Sequence, residues 1–168
     1  VGLLEDDASE LNRGFVKRMR TGMPFVTSKI AMSLDGRTAM KNGESKWITS
    51  DAARKDVHKL RSENQAIMTG SGTIINDNPM MTVRLNEIDS NLLRVVIDSN
   101  NLITDKSLNI FSSDADTLVL NSNNSKTLSN GKLDLKSALT KLGEMGVNNL
   151  LLEAGSVLNG AMLEADLV

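Results

Sequence analysis

Six ionisable side chains sit where apolar runs give way to small, flexible residues: Lys29, Asp35, Arg61, Asp77, Arg84 and Glu153. The set combines donors suited to an anionic ligand with carboxylates able to hold or pass a proton. Glu153 closes the apolar run "LLLE", where a carboxylate is partly desolvated and needs a partner. Asp35 stands before Gly36, a pair that commonly makes turns, while Arg61 and His58 read most simply as surface residues of a helix. The short stretches "SLDG", "TGSGT", "IDS" and "EAGS" supply the small residues, and each ends an apolar run. In an open α/β sheet, ligands bind outside the carboxyl ends of the strands. Gly155 and Ser156 begin a helix, where free backbone N–H groups and the helix dipole favour a phosphate. "TGSGT" offers a second loop of that kind. Neither has the glycine spacing of the dinucleotide fingerprint or of the P-loop, and small residues at strand-to-helix turns also serve geometry alone.

The elements that position these residues follow from the apolar pattern. "FVTSKIAMSL" alternates and is β-rich, so it predicts the first strand, after the breakers Gly22 and Pro24. "DGRTAMKNGESKW" is a turn-rich connection. A helix is expected from Thr49 or Ser50 through "SDAARKDVHKLRSEN", with Ala53, Val57 and Leu60 on one face. "AIMTG" reads as a short strand, and "SGTIINDNP" as a turn into a brief helix. "LRVVIDS" and "DTLVLNS" have the uninterrupted β-branched character of buried parallel strands. "LDLKSALTKLGEMG" predicts a helix stopped by Gly146, "NNLLLEAGS" a strand and turn, and "VLNGAMLEADLV" a last helix. Strands separated by helices imply an α/β fold with a mostly parallel central sheet flanked by helices.

Composition narrows the function classes. The chain has 168 residues, 40% of them hydrophobic, enough for one core. With 19 basic against 21 acidic residues it carries no charge footprint for nucleic acid or an anionic membrane. It has no cysteine and one histidine, so neither a thiolate nucleophile nor a cysteine- or histidine-rich metal site is available. No apolar stretch approaches the roughly 20 residues of a membrane span. A cytoplasmic setting is the expectation. The opening "VGLLEDDASELNRGFVKRMRTG" places Leu11, Phe15, Val16 and Met19 at helical spacing and reads as a connector or docking helix.

Taken in order, "KIAMSLDGRTA", "GESKWITS", "TGSGTIINDNPMMTVR", "VVIDS" and "LLLEAGSVLNGAMLEADLV" closely resemble the reductase domain of the bifunctional riboflavin-biosynthesis deaminase/reductases. That family has a dihydrofolate-reductase-like fold. The resemblance implies that residues 1–22 connect to an upstream deaminase domain and that 23–168 form the reductase domain, with its C-terminal strands missing. The cysteine ligands of the zinc deaminase are not in this chain.

The resemblance implies NADPH-dependent reduction of 5-amino-6-(5-phosphoribosylamino)uracil to its ribitylamino form, with hydride reaching C1 of the ribose after ring opening to an imine. No metal is required. The first strand and its "SLDG" turn would form a wall shared by nicotinamide and substrate. Carried over by position, the cofactor contacts are Ala31, Trp47, Thr73, Asp77 and Ser99. The pyrophosphate cradle is Gly155, Ser156, Val157, Leu158, Asn159, Gly160 and Ala161. Ser45, Arg61, Met81, Arg84 and Glu153 are the implied substrate contacts, the two arginines suiting the ribose phosphate. Lys29 and Asp77 are the candidates for polarising the reacting centre and relaying a proton. No arginine lies beside Ser99 to mark a 2′-phosphate, Arg94 standing at the far end of its strand. The family implies a homodimer. Two alternatives stay open: a reductase of a related pyrimidine or pterin, and a non-catalytic nucleotide-binding or assembly module.

Overall fold

The computed structural model describes residues 2–45, 48–85 and 92–168. Two short helices open the chain, α1 (Glu5–Leu11) and α2 (Arg13–Thr21), and β1 (Phe25–Ser28) follows. Then come α3 (Asp51–Ser62), β2 (Ala66–Gly70), α4 (Ser71–Asp77), β3 (Leu93–Asp98), a 3-10 turn at Asn109–Phe111 and β4 (Thr117–Asn121). The chain closes with α5 (Leu135–Glu144), β5 (Asn149–Leu152) and α6 (Ser156–Glu164). The five strands form one sheet in the order β1-β5-β2-β3-β4, and every strand pair is parallel.

Parallel strands buried on both faces need continuous apolar sequence, and their alternation divides it between two cores. Val95 and Ile97 of β3 face one cluster with Leu139 and Leu142 of α5 and Met162 of α6. Val96 faces the other, with Ile74 of α4 and Ile110 of the 3-10 turn. Each such side chain contributes about 1.5–3 kcal/mol by leaving water. The helices begin as their caps dictate: Ser50 Oγ accepts the Ala53 N–H at 3.2 Å, and Asp134 Oδ1 accepts the Ser137 N–H at 3.1 Å. Gly146, at φ 90°, turns the chain out of α5 into β5.

Three local expectations change. The first strand ends at Ser28, because from Ile30 the chain leaves the sheet, with Met32 and Leu34 exposed. "SGTIIND" is helical from Ser71 onward, so α4 follows β2 directly. In the opening segment the apolar residues Leu11, Phe15 and Met19 are exposed. Its docking rests instead on Gly14, packed against Asn149, and on Arg18, whose Nε donates to Asn148 Oδ1 at 2.6 Å.

Candidate active site

The sheet register builds the site. Ser28 pairs with Leu152, and Leu152 with Met68, so the next residues along, Lys29, Glu153 and Thr69, occupy neighbouring positions at the carboxyl edge. The ladder continues that far: Lys29 N–H donates to Leu152 O and Glu153 N–H to Met68 O, both at 2.9 Å.

Arg61 reaches this row from the last turn of α3. Its Nε lies 2.7 Å from Glu153 Oε1 and its Nη2 3.1 Å from Oε2, a two-point pair with both side chains 13% exposed. Arg61 Nη1 also donates to Thr82 O at 2.9 Å, which ties the 82–85 segment to the helix. Lys29 Nζ approaches Glu153 Oε2 at 4.0 Å. Two cations therefore meet one carboxylate, and the surplus positive charge suits an anionic ligand. The desolvated Glu153 finds the partner its position demanded, and Arg61, which reads as a surface residue in sequence, is that partner.

His58, one turn before Arg61, packs against the 82–85 segment. Arg84 N–H donates to its Nδ1 at 3.2 Å, and Arg84 Nη2 stands 3.5 Å from its Nε2. Burial, then the nearby Arg61 and Arg84 charges, hold the imidazole below its ordinary value of 6.5, against the opposing pull of Glu153 and the Thr82 carbonyl. Met81 is buried beside them in a left-handed conformation, φ 51°. Sequence reasoning missed His58, for which the only local signal is its spacing of three from Arg61. It also missed Thr69, whose hydroxyl is fully buried with no hydrogen-bond partner among the described residues.

Two helix starts flank the row. Both α4 and α6 begin after a glycine, Gly70 and Gly155, with no side-chain cap on their first N–H groups. A Cβ on Gly70 would lie 3.9 Å from Leu158 Cδ2, so the two loops adjoin. Gly155, Ser156 and Val157 are exposed, leaving this donor set open. Asn159 is buried and braces the loop: it accepts Ser28 Oγ–H at 2.7 Å and donates to Ala154 O at 2.6 Å. Adjacent uncapped helix starts, with exposed backbone N–H groups at Gly155 to Val157, could hold a phosphate of a nucleotide cofactor.

The remaining candidates spread outward. Thr73 lies half-buried on α4, and Asp77 is exposed at its last residue. Among the described residues no hydrogen bond or ion pair joins Asp77 to Lys29. Ser99 follows β3, its Oγ accepting the Leu133 N–H at 3.2 Å. Ala31 is half-buried, Gly160 and Ala161 are half-buried within α6, Ser45 is exposed, and Trp47 falls outside the described residues. Asp35 is a turn residue: its carboxylate accepts from Ser33 Oγ and pairs with Arg37 Nε at 2.9 Å, bonds that hold it below its ordinary value. Arg94 is fully buried and spends its guanidinium on Met80 O at 3.2 Å, Ser112 O at 2.7 Å and the Ala115 carbonyl. It is a packing residue and does not face a ligand.

A five-stranded parallel sheet with its charged row and open helix starts at one edge defines a dihydrofolate-reductase-like α/β domain. The family model for the RibD C-terminal domain matches residues 24–168, and the chain belongs to that family. It is 41% identical to the Escherichia coli K12 riboflavin biosynthesis protein RibD, over 99% of this chain and 52% of that protein. It is 34% identical to the 5-amino-6-(5-phosphoribosylamino)uracil reductase of Buchnera aphidicola from Acyrthosiphon pisum, over 77% of this chain and 73% of that one. Among solved structures, the Thermotoga maritima deaminase/reductase superposes with a TM-score of 0.85 at 30% identity, covering 98% of this chain and 48% of that one. The chain thus spans about half the length of the RibD proteins it matches.

Proposed function

We propose that this chain reduces 5-amino-6-(5-phosphoribosylamino)uracil to its ribitylamino product with NADPH, as a step of riboflavin biosynthesis. The observation that carries this reading is the Lys29–Glu153–Arg61 cluster beside the open helix starts of α4 and α6. Surplus positive charge for an anionic substrate and open backbone donors for a cofactor phosphate at one sheet edge support the reading. The Buchnera relative named for this reduction supports the substrate.

NADPH, when bound, supplies the hydride. The chain's residues do the rest. Gly155 and Ser156 hold the pyrophosphate through backbone N–H groups, with Thr73, Ser99 and Trp47 along the cofactor. Arg61, fixed by Glu153 and Thr82 O, keeps further N–H groups for the substrate, and Arg84 binds the ribose phosphate. Glu153 accepts from a uracil N–H or from ribose hydroxyls. Lys29 polarises the reacting carbon and donates the proton that accompanies reduction; Asp77, the other candidate for the relay, shares no bond with Lys29 among the described residues. A homodimer in the cytoplasm, with a deaminase domain upstream in the full chain, completes the proposal. No described helix is long and apolar enough to cross a membrane.

Steady-state oxidation of NADPH against NADH, with the phosphoribosylaminouracil as substrate, tests the reading. Turnover preferring NADPH supports it; binding of NADPH without turnover favours a non-catalytic module.

A further inference from the structure

His58 contributes nothing to the ligand contacts assigned above, yet it joins α3 to the segment that carries Arg84. Two Arg84 donors face the ring, the backbone N–H at Nδ1 and Nη2 at Nε2. A neutral imidazole offers one lone pair to these donors, whichever tautomer it takes, and an imidazolium offers none. Protonation therefore replaces an accepted hydrogen bond with donors facing donors and a cation facing a cation. We propose that neutral His58 is a positioning residue that holds Arg84 for a substrate phosphate, and that protonating it releases Arg84. This rests on the reductase reading, which gives Arg84 the phosphate.

The groups around the ring favour this state. Arg61 on its own helix and Arg84 from the facing segment are cations that oppose a third positive charge. Glu153 beyond β5 is the carboxylate that would favour one, but Arg61 occupies both of its oxygens. The Thr82 carbonyl, shared with Arg61 Nη1, also pulls toward the charged ring but is the weakest of these influences. Arg61 and His58 thus clamp residues 82–84 from consecutive turns of α3, one by donating and one by accepting.

The test compares the native chain with His58→Asn, whose side-chain oxygen keeps an acceptor near the Nδ1 position and does not titrate. As pH falls below the ring's ordinary value of 6.5, KM for the phosphoribosylaminouracil rises about fivefold to tenfold more in the native chain than in the Asn variant, with NADPH affinity equal in both. The substrate phosphate titrates in the same range, and its effect cancels between the two proteins. His58→Ala raises KM at every pH, and Asn restores it. Superimposable pH curves for native and Asn proteins, or a native KM in His58→Ala, overturn the proposal. If the Ala variant does not fold, the native–Asn comparison still decides. His58 is the only histidine, so its ring titration is a single NMR curve. Should no turnover be found, the reductase reading fails and this curve decides the clamp alone. An Arg84 amide shift that follows the ring supports it, and one that does not overturns it.

Discussion

Arg61 and Glu153 lie 92 positions apart in sequence and meet side by side at the carboxyl edge of the sheet, Nε to Oε1 at 2.7 Å and Nη2 to Oε2 at 3.1 Å. The contact needs α3 and β5 to be in place together, so it joins folding to function. A planar fork held at two points cannot rotate, so the direction of its remaining donors is fixed.

Removing either partner strands a mostly buried charge, at a cost of about 3 kcal/mol. Glu153→Gln keeps shape and one acceptor, so its stability loss is smaller while substrate use falls. KM for the phosphoribosylaminouracil should rise more than Kd for NADPH, measured by kinetics and by titration of cofactor. Equal losses in both would remove the substrate role of Glu153.

Much of the sheet was legible because "LRVVIDS", "DTLVLNS" and "NNLLLEAGS" are apolar enough to be buried on both faces wherever they pair. The position of Glu153 at the end of such a run also revealed that it needed a partner. Which partner was not legible, since only tertiary packing brings Arg61 to it. His58 misled for the same reason. Helical periodicity put it on the surface, whereas Arg84, from a distant segment, decides its surroundings. The carbonyls that hold Arg94 come from equally distant segments and were no more legible. Phe15 and Met19 have helical spacing, yet a glycine and an arginine dock their helix.

Arg94 offers the stability test. Its guanidinium satisfies several carbonyls around the 3-10 turn, and burial works against its charge while Asp114 and Asp116 support it. Arg94→Ala leaves those carbonyls unpaired and should cost about 3 kcal/mol or more, read as a drop in the denaturant midpoint. Cofactor affinity of the folded fraction should not change.

Gly143 tests the docking of the opening helices. A Cβ there would collide with the Gly22 carbonyl oxygen and lie 2.9 Å from its carbon, both backbone atoms that cannot rotate away. Gly143→Ala should destabilise by about 2 kcal/mol, although alanine favours a helix, and should expose α2 to protease. A stabilised variant would contradict this packing.

Asp134 caps α5, and the Ser137 N–H, then Lys126, keep its carboxyl below the ordinary 3.8. A depressed carboxylate stabilises the fold above its unfolded value and loses that contribution as pH falls through its folded one. Asp134→Asn should therefore flatten part of the acid limb of the stability curve below about pH 4, and Asp134→Ala should cost about 1 kcal/mol at neutral pH. An unchanged acid limb in the Asn variant would separate the cap from the titration.

Trp47 is the single tryptophan. As a cofactor contact it should be quenched as NADPH is added, and Trp47→Ala should weaken NADPH binding about tenfold with a smaller effect on substrate affinity. Fluorescence that ignores NADPH would place Trp47 away from the cofactor.

The central claim is hydride delivery to the ribose carbon at the Lys29–Glu153–Arg61 edge. The most direct measurement runs the reaction with NADPH deuterated at the transferring face of nicotinamide C4 and locates the label in the product by NMR. The account predicts one deuterium at C1 of the ribityl chain, lost together with turnover in Arg61→Ala. An unlabelled C1, or label delivered elsewhere, would contradict it.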